Sequence, residues 1–180
     1  MNIIDCTNCG GDSKFFFNAF DVNRMITKER FTYRKCLSCG LVFLTNVPSN
    51  LNIYYPDEYY PIPSINRINK LSKKNQYQVD MISKFAPKKG RMLEIGSAYG
   101  VFANQANKSG YIVDSIEMSR ICCDFLSNKL GIKAYQSDTP QDIIPRLESD
   151  YNVVAMWHNI EHLLNPWIVI ERAVEEISPG

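Results

Sequence analysis

Four cysteines near the start of the chain form two pairs with the same spacing. Each pair has the form C-x-x-C followed by glycine, and the four residues are Cys6, Cys9, Cys36 and Cys39. Two residues between the thiols allow both sulfur atoms to reach one tetrahedral ion, and the glycine allows a positive φ beneath it. Four thiolates leave no coordination position for a substrate. The sequence therefore predicts a structural metal site.

This pattern resembles a zinc ribbon, which implies a small zinc-stabilised module over residues 1–48. Thiolate ligands alone do not select the metal, so iron in a rubredoxin-like site is an alternative. Buried thiols without metal and a catalytic zinc are further alternatives, and the paired spacing argues against both. Cys122 and Cys123 fall within a predicted helix, and we interpret them as packing residues.

A basic cluster with two aromatic residues, Phe31 and Tyr33, lies between the cysteine pairs. Its members are Arg24, Lys28, Arg30, Arg34 and Lys35. Basic and aromatic side chains together are one means of contacting RNA, but a charge run of this size is more often a solvated face. The formal net charge of the chain is only +1, which gives no general attraction for nucleic acid. We favour the solvated face and expect no nucleic-acid partner.

A glycine-containing turn follows an apolar stretch that ends in an acidic residue, in the segment Met92-Leu93-Glu94-Ile95-Gly96-Ser97-Ala98-Tyr99-Gly100. Small residues at such a turn let a ligand approach the backbone, and the helix that follows offers free N–H groups. The segment is not the dinucleotide fingerprint G-x-G-x-x-G, because Ala98 and Val101 occupy its second and third glycine positions. It resembles motif I of class I S-adenosylmethionine-dependent methyltransferases, with Ala98 in place of the middle glycine.

Three further segments strengthen this resemblance. Glu117 ends the next predicted strand, where a carboxylate can bind both ribose hydroxyls. Asp138 matches the acidic position that reaches the adenine amino group in this family. The segment from Tyr151 to Pro166 resembles the family's fourth strand and its E-H-L-x-x-P continuation. The resemblance covers residues 91–180.

The resemblance implies a set of residues that bind S-adenosylmethionine. They are Glu94, Gly96, Ser97, Ala98, Tyr99, Gly100, Glu117, Met118, Asp138, Trp157 and His158. Each also has a structural interpretation: Glu94 as a helix cap or an ion-pair partner, Glu117 as a surface carboxylate, Trp157 as core. The matched spacing across four strand ends favours the cofactor site. Glu161 and His162 are weak candidates for a catalytic acid and base, and a loop-orienting hydrogen bond at a helix start is the favoured alternative.

Alternating strands and helices predict an α/β fold with a Rossmann-like parallel sheet in the order 3-2-1-4. The predicted strands are 91–95, 111–116, 132–135 and 151–156, and the predicted helices are 100–109, 119–130, 140–147 and 166–177. The sheet and its helices form a partial S-adenosylmethionine-binding domain over residues 87–180. Residues 49–86 form a connector, with a Tyr/Pro-rich part and then an amphipathic helix that breaks near Lys74. The tyrosines from Tyr54 to Tyr60 are interpreted either as a lid over the cofactor or as packing residues.

The methyltransferase fold that the chain resembles usually has seven strands, and the sequence ends where the fifth would begin. We therefore expect a domain truncated before its fifth strand. The apolar residues 153–155 then form an open sheet edge, which predicts a homodimer through that edge or a missing C-terminal half.

The order of ribbon, Tyr-rich connector and cofactor domain resembles a group of methyltransferases of sugars and natural products. This implies methyl transfer to a small-molecule acceptor, such as a sugar or glycan precursor, with zinc as a structural ion. An RNA methyltransferase and a non-catalytic zinc-ribbon binding protein are the alternatives. The apolar runs are too short to cross a membrane and the N-terminus has no secretory signal, so we expect a cytoplasmic protein without a membrane partner.

Overall fold

The computed structural model describes residues 4–48, 51–56, 59–86, 89–147 and 150–177. The chain divides into two compact units, residues 1–56 and residues 57–180. The division lies inside the predicted connector.

The N-terminal unit contains an antiparallel sheet of three strands in the order β1-β2-β3. The strands are β1 (Ser13–Phe20), β2 (Arg30–Cys36) and β3 (Val42–Leu44). The first cysteine pair precedes β1, whereas the second begins with Cys36 at the end of β2 and continues with Cys39 in the turn to β3. Gly10 and Gly40 have φ angles of 68° and 77°, so each C-x-x-C turn closes through a left-handed glycine.

The sequence alone does not predict the middle strand β2, because charged residues interrupt its apolar alternation. The strand forms because it pairs on both sides, with Ser13 opposite Cys36 and Tyr33 opposite Leu44. Arg34, a member of the basic cluster, donates from Nε to the Ser13 hydroxyl at 2.8 Å. Part of the basic cluster therefore holds the sheet together.

Two helices, α1 (Ile65–Lys73) and α2 (Gln76–Ile82), open the second unit. The hydroxyl of Ser64 accepts a hydrogen bond from the backbone N–H of Arg67 at 3.3 Å and so caps α1. The break between the helices falls at Lys74, as the sequence predicts.

A parallel sheet of four strands forms the centre of the second unit. The strands are β4 (Arg91–Ile95), β5 (Ile112–Glu117), β6 (Lys133–Gln136) and β7 (Val153–Ala155). Their order is β6-β5-β4-β7, which is 3-2-1-4 when this sheet is numbered by itself. The predicted α/β class and strand order are confirmed.

Four helices follow these strands along the chain. They are α3 (Val101–Lys108), α4 (Arg120–Leu130), α5 (Pro140–Ile143) and α6 (Pro166–Glu176). The helix predicted over 140–147 is shorter than expected and continues as a 3-10 turn, Ile144–Arg146. Pro145 explains the difference, because it has no N–H to donate and its ring obstructs the preceding turn.

The alternation of side chains along β4 divides the core between the two faces of the sheet. Met92 packs with Phe102 and Leu126 on one face, whereas Leu93 and Ile95 pack in a second cluster that contains Ile116, Ile144 and Val169. Glu94 has the same parity as Met92 and lies at the carboxyl end of the strand. Packing of the sheet thus fixes the direction in which Glu94 points.

The strand β7 pairs with β4, and just before it Tyr151 forms an isolated parallel bridge with Ile177. Val153 and Ala155 are buried, so the apolar side chains of this edge strand face the core rather than the solvent. No helix within the described ranges is both long enough and apolar enough to cross a membrane.

Candidate metal centre and cofactor cleft

The four paired cysteines meet at one point of the N-terminal unit. Their sulfur atoms all lie within 4.8 Å of one another. The Sγ atoms of Cys6 and Cys39 are 3.7 Å apart, and those of Cys9 and Cys36 are 3.5 Å apart. A tetrahedral zinc with bonds of about 2.3 Å requires sulfur separations of about 3.8 Å. The cluster therefore fits a single tetrahedral ion.

Backbone N–H groups in the second cysteine turn stabilise one thiolate. The N–H of Cys39 and that of Ser38 lie 3.4 and 3.3 Å from the sulfur of Cys36. These two hydrogen bonds, the one from Cys39 foremost, lower the pKa of Cys36 to about 6. A thiol that loses its proton readily is suited to metal binding.

The remaining cysteines belong to the core of the second unit. Cys122 and Cys123 are buried in α4, and burial raises the pKa of their thiols to about 11 and about 12. Thiols of this kind are inert packing groups, in agreement with the prediction.

The turn from β4 to α3 places three residues in the left-handed region of the backbone. Gly96, Ala98 and Gly100 have φ angles of 78°, 49° and 79°. A Cβ atom on Gly96 would lie 2.1 Å from Nδ2 of Asn159, and one on Gly100 would lie 2.5 Å from Leu126. Both glycines are thus required by conformation and by space. Ala98 adopts the same conformation with a side chain.

Glu94 is a buried carboxyl group at the end of β4. Only 3% of its surface is exposed, and its Oε2 atom has no hydrogen-bond partner. Burial raises its pKa to about 8, and the nearby charge of Glu117 adds to the effect. The group is therefore mostly neutral at pH 7.

Glu117, at the end of β5, connects its strand to the glycine-containing turn. Its Oε2 accepts a hydrogen bond from the N–H of Ala98 at 2.8 Å, and its Oε1 accepts one from the N–H of Ser119 at 2.9 Å. Burial raises its pKa, although these two hydrogen bonds oppose the shift. Each oxygen retains a lone pair for a further donor.

A cleft of about 330 Å³ opens at the carboxyl end of the sheet. Volumes of about 300–1,000 Å³ are usual for small-molecule sites, and open α/β sheets bind ligands at this end of their strands. The predicted cofactor residues that line the cleft are Glu94, Gly96, Ser97, Ala98, Tyr99, Trp157 and His158. The structure therefore brings the β4 and β7 ends together in one cavity.

The other predicted residues lie outside the cleft wall. Gly100 is the N-cap residue of α3, and Glu117 accepts a hydrogen bond from the N–H of Ala98 in the turn. Met118 is half-buried, and its carbonyl lies 3.4 Å from the side-chain amide of Gln136. Asp138 is exposed in the bend after β6. Glu161 and His162 are exposed on the 3-10 turn Ile160–His162.

Residues from the connector contribute to the cleft wall. Tyr59 and Tyr60 line it, in agreement with one of the two interpretations of the tyrosines, and so does Gln78 of α2. Gln78 belongs to none of the sequence motifs. A signal was present, because Gln78 lies four residues before Ile82 and thus on the apolar side of its helix.

The second unit has the fold of known methyltransferases. One structure is CalS10, an amino pentose methyltransferase from Micromonospora echinaspora, with a TM-score of 0.51, 14% identity, and coverage of 76% of this chain and 55% of that chain. Another is a candidate S-adenosylmethionine-dependent methyltransferase from Methanococcus maripaludis, with a TM-score of 0.51, 10% identity, and coverage of 77% of this chain and 64% of that chain. The chain therefore spans less than two thirds of either structure.

A family model described as "Methyltransferase domain" matches residues 67–180, which is more than half of the sequence. The chain belongs to this methyltransferase family, as predicted. No curated protein matches the sequence.

Proposed function

We propose that the chain binds S-adenosylmethionine in the cleft and takes part in transferring its methyl group to a small molecule. The observation that carries the proposal is the contact between Glu117 and Ala98, which joins two parts of the predicted cofactor site at 2.8 Å. Buried polar atoms without partners, among them Glu94 Oε2 and Trp157 Nε1, fit a ligand that supplies the missing hydrogen bonds.

The residues of the domain have separate roles in this proposal. Glu117 binds the ribose hydroxyls through its remaining lone pairs, and Asp138 binds the adenine amino group. The turn from Gly96 to Gly100 supports the middle of the cofactor, while Tyr59 and Tyr60 exclude water from the cleft.

When bound, the cofactor supplies an electrophilic methyl group on sulfur, which passes to a nucleophile of the acceptor as S-adenosylhomocysteine departs. The protein then has to hold the acceptor in line with the methyl group, and it needs no covalent nucleophile of its own. Glu161 and His162, which are exposed on the 3-10 turn Ile160–His162, stay candidates for the catalytic acid and base, with a loop-orienting hydrogen bond as the favoured alternative.

For the acceptor we propose a sugar or glycan precursor. The order of ribbon, Tyr-rich connector and cofactor domain supports this choice. CalS10, which acts on an amino pentose, defines the first acceptor class to test.

Calorimetry with S-adenosylhomocysteine tests the cofactor site directly. We expect binding by the native chain and a loss of at least about tenfold for Glu117→Ala, because hydrogen bonds to a charged group contribute about 1.5–3 kcal/mol. Glu171→Ala, which removes an exposed carboxylate from α6, serves as the control and should bind normally. Absence of binding by the native chain would favour the non-catalytic alternative.

For the cysteine cluster we propose one structural zinc ion in a zinc ribbon. The near-tetrahedral sulfur distances support this assignment. Zinc would fill its coordination with the four thiolates and would take no part in catalysis.

An RNA acceptor is the second candidate, and one observation favours it. The strand β1 exposes four aromatic side chains, Phe15, Phe16, Phe17 and Phe20. Lys35 lies 5.7 Å from the ring of Phe16. Exposed aromatic rings beside a basic side chain can stack bases. RNA binding that weakens steeply with salt and is lost in Phe16→Ala would support this candidate, and salt-independent or absent binding would exclude it.

A further inference from the structure

Three side chains on different elements line the same cleft, and each has one buried polar atom without a hydrogen-bond partner. These atoms are Oε1 of Gln78, Oε2 of Glu94 and Nε1 of Trp157. Gln78 and Glu94 are each only 3% exposed. Burying a polar atom without a partner lowers stability, and such atoms in native proteins are usually satisfied by a ligand or water. The cleft therefore has a polar subsite of its own.

The core fixes the direction of Gln78. The next residue of α2, Val79, is 4% exposed and packs in the same cluster as Met92 and Phe102. Because this packing sets the rotation of the helix, the amide of Gln78 is held at the cleft wall. A side chain placed in this way is pre-organised for a ligand.

The strand order shows which part of the cofactor this subsite would meet. Asp138 follows β6 and Glu117 ends β5, and we assign these residues to adenine and ribose. Glu94 is on β4 and Trp157 follows β7, the next two strands across the sheet. The cofactor continues from ribose to sulfonium to amino acid in the same direction. Its zwitterionic amino-acid end thus falls beside β4 and β7.

We propose that Gln78 is a cofactor-positioning residue, whose side-chain carbonyl accepts a hydrogen bond from the ammonium group of S-adenosylmethionine. This inference rests on the proposed function. Oε1 is an acceptor and the ammonium group is a donor without acceptor capacity, so the two are complementary. Glu94 Oε2 offers a second acceptor to the same group once the carboxyl group is ionised, which the nearby positive charge of the ammonium group favours. By holding the amino-acid end, Gln78 fixes the position of the sulfonium methyl.

Two ligands separate this role from general binding. S-adenosylhomocysteine contains the amino-acid end, whereas 5′-methylthioadenosine lacks it and retains adenine and ribose. In Gln78→Met we expect calorimetry to show a loss of affinity for S-adenosylhomocysteine of about 10- to 100-fold. The affinity for 5′-methylthioadenosine should stay unchanged.

Gln76→Met on the same helix is the matched control, because Gln76 bonds to Asp80 and Gln105 and does not line the cleft. It should change neither affinity. Gln78→Asn, which shortens the amide by one methylene, provides a second variant with the same expected selectivity if Gln78→Met does not fold.

Equal loss for both ligands, or no loss for either, in a folded Gln78 variant would overturn the assignment. Failure of the native chain to bind either ligand would instead overturn the proposed function itself. The two failures are distinguishable, because one appears only in the variant and the other in the native chain.

Discussion

A single buried carboxyl group, Glu94, couples the cofactor cleft to pH. Its pKa of about 8, against an ordinary value of 4.5, means that the folded protein holds this proton more tightly than the unfolded chain. The stabilisation is complete below pH 4.5, is lost progressively as pH rises from 4.5 to 8, and is absent above pH 8. In total it amounts to about 5 kcal/mol, because each unit of pKa corresponds to about 1.36 kcal/mol.

Glu94→Gln should therefore gain stability relative to the native chain as pH rises, because glutamine does not ionise. We expect the difference in unfolding free energy to grow by about 2–3 kcal/mol between pH 6 and pH 9. Urea unfolding without cofactor measures it. Glu171→Gln, in an exposed position, should show no such growth, and a pH-independent difference for Glu94→Gln would contradict the prediction.

Ala98 stores strain in the turn, because it holds the left-handed conformation at φ 49° with a side chain. That conformation costs about 1–2 kcal/mol for a residue other than glycine. Glycine avoids this cost, but it loses more conformational entropy on folding than alanine does, which lowers stability by about 0.5–1 kcal/mol. Ala98→Gly should thus raise stability by up to about 1 kcal/mol.

Gly96→Ala provides the opposite case at the other end of the same turn. Its Cβ would meet Asn159 at 2.1 Å, so we expect a loss of about 2 kcal/mol or more. Thermal unfolding measures both variants, and destabilisation by Ala98→Gly would show that the turn is unstrained.

At the level of elements, the three-stranded sheet of the N-terminal unit has too small a core to fold by itself. Among the described residues its buried apolar cluster consists of Cys6, Cys36 and Phe43, and two of these are proposed metal ligands. Units of this size usually need a metal or disulfides to fold. The metal site and the three strands are therefore expected to form together.

Metal removal should unfold the N-terminal unit and leave the second unit folded. Elemental analysis should find one zinc ion per native chain and less than one in Cys39→Ser. Cys123→Ser, in the core of the second unit, is the control and should keep one zinc ion. After chelation of the metal, scanning calorimetry should show the loss of the unfolding transition of the N-terminal unit and the retention of that of the second unit. Full retention of both transitions without metal would contradict a structural role.

At the level of the whole molecule, the edge strand β7 predicts self-association. Among the described strands β7 pairs with β4 alone, and the backbone of an edge strand presents unpaired polar groups to other chains. Its side chains Val153 and Ala155 are buried, so pairing would proceed through the backbone. We expect light scattering to show a homodimer that forms with increasing concentration, and a monomer mass at every concentration would contradict this expectation.

The features that depend on local spacing follow from the sequence alone. The C-x-x-C pairs predicted the cysteine cluster, and the alternation of strands and helices predicted the sheet order, since parallel crossovers allow few topologies. The acidic residues at the carboxyl ends of two strands indicated Glu94 and Glu117 as candidate cofactor-binding residues. The carboxyl ends of parallel strands meet at one edge of the sheet, and ligands of open α/β folds bind at this edge.

The features that depend on partners distant in the sequence became apparent only in the folded structure. The strand β2 exists because both of its neighbours pair with it, although its charges obscure the pattern. Gln78 became a candidate because the packing of α2 makes it line the same cleft as Glu94 and Trp157. The unpartnered state of these groups is a property of burial, and burial arises from contacts between residues far apart in the chain.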